Sequence, residues 1–327
     1  MTIRAARRLA TVLAAAGMTA AAAGCGSAPA TAGPAGLEKP DITVGVVPAV
    51  SNAGVYIAGQ RGFFTAEGLH VKLVSIASSA DVLALLLDGN VDVLAGNYVS
   101  EIQAEADNPG TIRLRVLAEG ALTAPRSREI MVPKGSPITT LAQLRGKTVA
   151  VNALNNAASM LVQSALAANG IPASGVHLVA IGFPDEAAAL NARRVDAAWM
   201  AEPFIAGGTV KYGLTELYDT NNGATAAFPI DGYVSTQAWA RTYPRTAAAF
   251  VRAIERGQQV ASTSRPALEA AMVKFLGVSR QIAALVTPDT YPLGVSRIRM
   301  QRVATLMLQF GLLKHPFSIA AMTGATP

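Results

Sequence analysis

The sequence predicts an α/β protein built of two lobes. Three observations carry this. The chain has 327 residues, more than one ordinary hydrophobic core organises. Short apolar runs alternate with helical patterns, as in sheets whose strands are joined through helices. A faint repeat places a second copy of the same unit about a hundred residues after the first. With 51% hydrophobic and 15% charged residues, the composition excludes a disordered chain.

The repeat rests on three short matches that keep their order. Thr43-Val44-Gly45-Val46 matches Thr148-Val149-Ala150-Val151, Gly68-Leu69-His70-Val71 matches Gly175-Val176-His177-Leu178, and Val91-Asp92-Val93 matches Val195-Asp196-Ala197. In the first copy Ile42 to Val47 is a strand and Asn52 to Arg61 a helix with Asn52 as its N-cap. Leu69 to Ile76 is a strand, Ala80 to Leu87 a helix closed by Gly89 in a left-handed conformation, and Val91 to Ala95 the third strand. In the second copy Thr148 to Val151, Val176 to Ile181 and Val195 to Met200 are strands, with helices over Asn156 to Ala168 and Glu186 to Ala192. Continuous apolar strands imply burial on both faces and parallel sheets. From Thr246 onward the periodicity is helical: Thr246 to Ser262, Pro266 to Phe275, Ser279 to Leu285 and Val295 to Phe310, all expected to pack back on the first lobe. The chain then crosses between lobes near Leu117–Val132 and near Ala227–Ser235. The expected division is 41–122 with 232–327 for lobe I and 123–231 for lobe II.

The first residues read as a targeting segment. Arg4, Arg7 and Arg8 precede an uncharged run from Leu9 to Gly24 that stops at Cys25, the one cysteine of the chain. The run is shorter and less apolar than a spanning helix requires. Residues 1–24 are read as a signal peptide and 25–40, rich in small and turn-forming residues, as a flexible tether. Losing three arginines from 27 basic residues leaves +3 against 21 acidic ones, with no basic tract, so no nucleic-acid partner is expected. A lone cysteine excludes a disulfide framework and a cysteine-based metal site.

Ala22-Ala23-Gly24-Cys25 resembles the bacterial lipobox, with Ala22 where leucine is usual; the resemblance implies diacylation of Cys25, which two chains make a firm anchor on the outer side of the cell membrane. Four further motifs stand in order along the chain: Gly62-Phe63-Phe64 leading to Gly68-Leu69-His70-Val71; Leu87-Asp88-Gly89-Asn90-Val91-Asp92; Ile138 to Leu141 with Leu144-Arg145-Gly146-Lys147; and Val195-Asp196-Ala197 leading to Glu202-Pro203-Phe204. Together they resemble the solute-binding proteins of nitrate, sulfonate and taurine ABC importers, a family that also includes receptors for thiamine-pyrimidine precursors. The likeness spans roughly Ile42 to Leu313. It implies the type II periplasmic-binding-protein fold, two α/β lobes joined by a two-strand hinge, and a monomeric, cofactor-free receptor that hands a small solute to membrane permease subunits. Phe63 and Phe64 are read as core, and Asp92 and Asp196 as braces of turns. An extracytoplasmic sensor on the same fold and a pyrimidine-synthase-like enzyme are the alternatives. The latter resembles proteins with a cysteine-rich iron site, which one cysteine does not supply.

In open α/β sheets ligands bind beyond the carboxyl ends of the strands. That rule selects Ser51, Asn52, Ser78, Ser79, Asn97 and Tyr98 in the first lobe. In the second it selects Asn152, Asn155, Asn156, Phe183, Asp185 and Glu202, and Asp231 at the return crossing. Asn52 and Asn155–Asn156 lead into helix N-termini, which favour an anion; equally, asparagines there cap helices. Glu202 is read either as an acceptor for a ligand amine or as a brace of its turn. Carboxylates and helix termini together point to a zwitterion such as taurine or to an aminopyrimidine.

Overall fold

The computed structural model describes residues 36–76 and 79–324, the side chains of 79–82 excepted. The signal segment, Cys25, the repeated small residues that follow it, and Ser78 lie outside the described residues.

The first lobe opens with β1 (Asp41–Val46), α1 (Ala53–Gln60), α2 (Phe63–Ala66), β2 (His70–Ser75), α3 (Ser79–Leu87), β3 (Val93–Asn97), α4 (Tyr98–Asp107) and β4 (Leu114–Leu122). The second contains β5 (Arg128–Val132), β6 (Thr148–Val151), α5 (Ala157–Ala168), β7 (His177–Ala180), α6 (Phe183–Asn191), β8 (Ala197–Ala201), α7 (Phe204–Tyr212) and β9 (Thr215–Asp219). β10 (Pro229–Thr236) then returns, followed by α8 (Gln237–Thr242), α9 (Pro244–Thr263), α10 (Arg265–Leu276), α11 (Arg280–Leu285), α12 (Arg297–Gln309) and α13 (Ala320–Thr323).

Each lobe is a five-stranded sheet of the same design, ordered β2-β1-β3-β10-β4 and β7-β6-β8-β5-β9. The sequence repeat has a structural counterpart at one bond: Asp92 accepts from the Thr43 backbone N–H at 2.9 Å, and Asp196 accepts from that of Thr148 at 2.9 Å. Both aspartates brace the start of the first strand of their copy. The expectation of parallel sheets holds for β1, β2 and β3 and for β6, β7 and β8. It fails for the strands at the crossings, because β10 runs antiparallel to β3 and β4, and β5 antiparallel to β8 and β9. A chain that leaves one sheet and returns to it enters from the opposite end, so a crossing strand inserts against the grain.

In lobe II the sheet is apolar on both faces with the expected period of two. Ile130, Val132, Val149, Val151, Ala197 and Trp199 join the large core, while Met131, Ala150, Ala198 and Met200 form a second core with α6 and α7. In lobe I, Phe64 stacks on Phe250 in the core, and Phe63 packs beside it under Arg256. α9 lays its apolar stripe, including Ala249, Phe250, Ala253 and Ile254, on α1. The two helices cross at glycines, since a side chain on Gly257 would fall on the carbonyl oxygen of Gly54. α12 packs on α4 as expected, but α11 lies against α7, so the C-terminal helices do not serve lobe I alone.

Two expected boundaries shift. Lobe II ends before Pro229 rather than at 231, because Pro229 to Thr236 pair with β4 and β3. The tether is shorter than 25–40: Leu37 packs on the core, and Glu38 accepts from the Thr246 backbone N–H at 3.0 Å and from the Arg245 side chain at 2.9 Å. These bonds hold residues 37–39 at the N-terminus of α9.

Candidate functional site

The chain passes between sheets at residues 123–127 and 220–228. Thr123 ties the two passages together, donating its backbone N–H to the Phe228 carbonyl at 2.9 Å and its hydroxyl to Asn221 at 2.6 Å. A third segment, Val286–Tyr291, is strapped across them. Thr290 exchanges two backbone bonds with Leu122, Thr287 N–H donates to Glu202 at 3.1 Å, and the Tyr291 hydroxyl donates to the Val50 carbonyl at 2.8 Å.

Beside this hinge, between the carboxyl ends of the strands of both lobes, lies a cavity of about 30 Å³. A single buried water needs ~10–15 Å³, so in this conformation the lobes are drawn close together. Lobe I supplies Val47 and Ala49 after β1, Asn97 at the end of β3, and Ile230 and Asp231 in β10. Lobe II supplies Arg128, Asn152, Asn156 with Ala157 and Ala158, Phe183, Trp199 and Ala201.

The polar groups fall into two poles. Asp231 is 7% exposed, accepts a short hydrogen bond from the Ser51 hydroxyl, and receives no other among the described residues. Burial pushes its carboxyl upward, opposed by the Ser51 hydroxyl and the Arg128 charge. Opposite it, Asn156 caps α5 by accepting from Ser159 N–H at 3.2 Å, and Asn152 accepts from the Asn156 amide at 3.1 Å. Ala157 and Ala158 are the first residues of this 12-residue helix and line the cavity, so the positive end of α5 faces it. Arg128 is 2% exposed and bidentate to Asp289, at 2.9 and 3.3 Å, with a further bond of 2.7 Å to the Ser127 carbonyl. Phe183 sits between Phe204, stacked at 5.3 Å, and Trp199, tilted at 6.3 Å. Trp199 is fixed by its indole N–H on Thr220 at 3.0 Å.

Of the residues selected from sequence, Asn97, Asn152, Asn156, Phe183 and Asp231 meet in the cavity wall, and Ser51 stands behind Asp231. The others do not. Asn52 is fully buried and is not a side-chain cap; its amide donates to the Val47 carbonyl at 2.8 Å, because a short turn over Val50–Asn52 precedes α1. Tyr98 points into the core of lobe I, its ring over Gly232. Asn155 is exposed with φ of 54°, a left-handed turn that asparagine tolerates. Glu202 is the brace: its two oxygens accept from Ala206 N–H and Thr287 N–H, both at 3.1 Å, and it is absent from the cavity wall. Asp185 opens the first turn of α6. The Ser79 backbone begins α3, its side chain lying outside the described set. Sequence reasoning missed Arg128 and Trp199; a charge opening an otherwise apolar strand, Arg128-Glu129-Ile130-Met131-Val132, was the available signal.

The pattern of a family described as NMT1/THI5 like matches residues 50–266. The bicarbonate transport ATP-binding protein CmpC of Synechocystis sp. is 26% identical over 247 residues, 67% of this chain; the chain spans about a third, 35%, of that relative's length. Among solved structures, the alkanesulfonate-binding protein SsuA from Xanthomonas axonopodis pv. citri bound to MOPS superposes with a TM-score of 0.76 at 18% identity, covering 89% of this chain and 100% of that one. The desulfurization enzyme DSZB superposes with a TM-score of 0.66 at 17% identity, covering 88% and 96%. At these identities the structural likeness shows the fold, two α/β lobes of the periplasmic-binding-protein type. Among the described residues no helix is long and apolar enough to cross a membrane.

Proposed function

We propose, since the chain belongs to the NMT1/THI5-like family, that it is the extracytoplasmic receptor of an ABC importer and captures a small solute by closing its lobes. The observation that carries this is the bipolar cavity: Asp231 from lobe I faces the N-terminus of α5 from lobe II. A solute that bonds to both poles binds the closed state better than the open one, which is the condition for driving closure. Asp231 suits an ammonium or an N–H donor, the α5 terminus an anionic or acceptor group, and Phe183 with Trp199 a flat or apolar middle. Taurine and aminopyrimidines have this make-up; plain alkanesulfonates, nitrate and bicarbonate have only the anionic half. The fold alone, shared with a desulfurization enzyme, supports catalysis less directly than the two-lobe cavity supports binding. Lipidation at Cys25 would keep the receptor beside its permease, and a Cys25→Ser chain released from membranes would be its mark.

A thermal-shift series with taurine, propanesulfonate, nitrate, bicarbonate and aminopyrimidines tests the reading. A ligand at 100 times its Kd adds ~2.7 kcal/mol of stability, visible as a raised Tm. A shift with taurine or an aminopyrimidine that exceeds the shift with propanesulfonate supports it. Equal shifts with taurine and propanesulfonate sink the bipolar assignment, and no shift with any of them moves the role toward a sensor of a different solute.

A further inference from the structure

Among the described residues the cavity wall contains one side-chain cation, Arg128, and that cation is already neutralised. Its guanidinium is held in a two-point bond by Asp289, whose side chain is wholly buried. Asp289 is not a loop residue free to swing away. It lies in the strap Val286–Tyr291, pinned on one side by Thr287 N–H on Glu202 and on the other by the Thr290 pairing with Leu122 and the Tyr291 hydroxyl on Val50. Asp231 places a carboxylate in the wall itself, within reach of the Arg128 and Asp289 charges. With Asp231 ionised the side-chain charge around the cavity is negative; with Asp231 protonated it is zero. In neither state does a side chain among the described residues of the wall offer an incoming anion a free positive charge, and desolvating an anion without one is costly.

We propose that Asp289 is a specificity-determining residue of the receptor: by occupying Arg128 it bars ligands that carry only negative charge. This rests on the reading of the cavity as the solute site. Asp289 acts through Arg128 rather than by touching the solute, so it is a positioning residue. It also gives the strap a second duty, since the segment that braces the hinge thereby fixes the charge of the pocket. A fold shared with an alkanesulfonate-binding protein is in this way turned toward solutes with an N–H or cationic end.

The test is calorimetric titration of the full chain with propanesulfonate and with taurine, for the wild type and three variants. Asp289→Asn keeps the shape of the side chain and removes its charge. It is expected to bind propanesulfonate at least tenfold more tightly than the wild type. The double variant Arg128→Gln/Asp289→Asn removes both charges and is expected to show no such gain, whereas a merely loosened site would show the gain in this variant too. Asp231→Asn leaves the Arg128–Asp289 pair intact, and removing its one negative charge is expected to improve propanesulfonate binding by less than the tenfold gain of Asp289→Asn. A folded Asp289→Asn with no gain overturns the proposal, as does a gain shared by the double variant. Stripping the charge from one partner of a buried pair is destabilising; if Asp289→Asn does not fold, Asp231→Asn decides, because a tenfold gain there would show that Asp231 and not Asp289 excludes anions. Failure of the receptor reading looks different: the wild type would bind no zwitterion or aminopyrimidine whatever the variants do with propanesulfonate.

Discussion

Replacing Glu202 with glutamine and measuring stability against pH isolates the brace between the lobes. Glu202 is 2% exposed, and burial pushes its carboxyl from 4.5 to about 7, against the lowering effect of the Thr287 and Ala206 N–H bonds and of Arg128. A carboxyl whose folded pKa lies above its unfolded one binds more protons in the folded chain between the two values. Its contribution to stability is therefore fully present below about 4.5 and is lost as the pH rises through about 7. Two and a half pH units at 1.36 kcal/mol each amount to roughly 3 kcal/mol. Glu202→Gln removes the titration and, at one oxygen, replaces an acceptor by a donor, leaving one of the two backbone N–H groups without its partner at a cost of about 1–3 kcal/mol. That cost does not depend on pH. Urea melts of both proteins at steps from pH 4.5 to 8.5 therefore give a difference that changes with pH. The wild type leads by most at pH 4.5, and its lead shrinks by roughly 3 kcal/mol above pH 8. Asp231, Glu101 and Glu186 are also pushed upward by burial, so the wild-type curve alone falls with pH for several reasons; the difference between the two proteins cancels them. A lead that is constant across the range refutes the argument that Glu202 is protonated in the folded chain near neutrality.

Three other outcomes are expected. Asp231→Asn weakens binding of an amine-bearing ligand by roughly 10- to 100-fold, the value of a charge-assisted bond, read by calorimetry, with folding intact by circular dichroism. Gly257→Ala places a methyl group on the Gly54 carbonyl oxygen and separates α1 from α9, lowering stability by about 1–3 kcal/mol or more in denaturant melts. Asn156→Ala removes the cap of α5 and the bond to Asn152, costing about 1 kcal/mol of stability, and it weakens ligand binding through the displaced helix terminus.

The fold was legible where local chemistry repeats. Thr43 with Asp92 and Thr148 with Asp196 are the same brace written twice, and the strands they start are short, apolar and separated by clear turns. The crossing strands were visible only as regions, because β4 carries Glu119, paired with Arg299, and β5 carries Arg128, paired with Asp289, charges whose partners lie far off in sequence. β9, exposed at the sheet edge, and α4, with Glu101, Gln103, Glu105 and Asp107 along its length, lacked the apolar pattern that marks an element. At the site, neighbouring residues of the selected loops go to different places. Asn97 lines the cavity and Tyr98 the core; Asn156 lines it and Asn155 is exposed; Ser51 backs Asp231 and Asn52 braces its own turn. Successive side chains leave a strand end or a first helical turn in different directions, and one position decides between ligand and core. Arg128 was out of reach for a different reason: its meaning depends on Asp289, which is 161 residues away.

The placement of these long-range bonds bears on how the receptor switches. Val50 N–H donates to the Glu202 carbonyl at 3.0 Å, Glu202 accepts from Thr287, Arg128 pairs with Asp289, and Arg302 reaches the carbonyls of Ala224 and Ala226. All of them lie at the hinge or the strap, where the distance between lobes changes least during a rotation about the hinge. Bonds that persist through such a rotation contribute little to the difference between open and closed. Asp231 and the α5 terminus line the cavity from different lobes. A solute spanning them supplies free energy to one state only, which is what a shift of population requires. On this view mutations in the strap alter the stability of the receptor and the charge it accepts, while mutations at the two poles alter how far a given solute closes it.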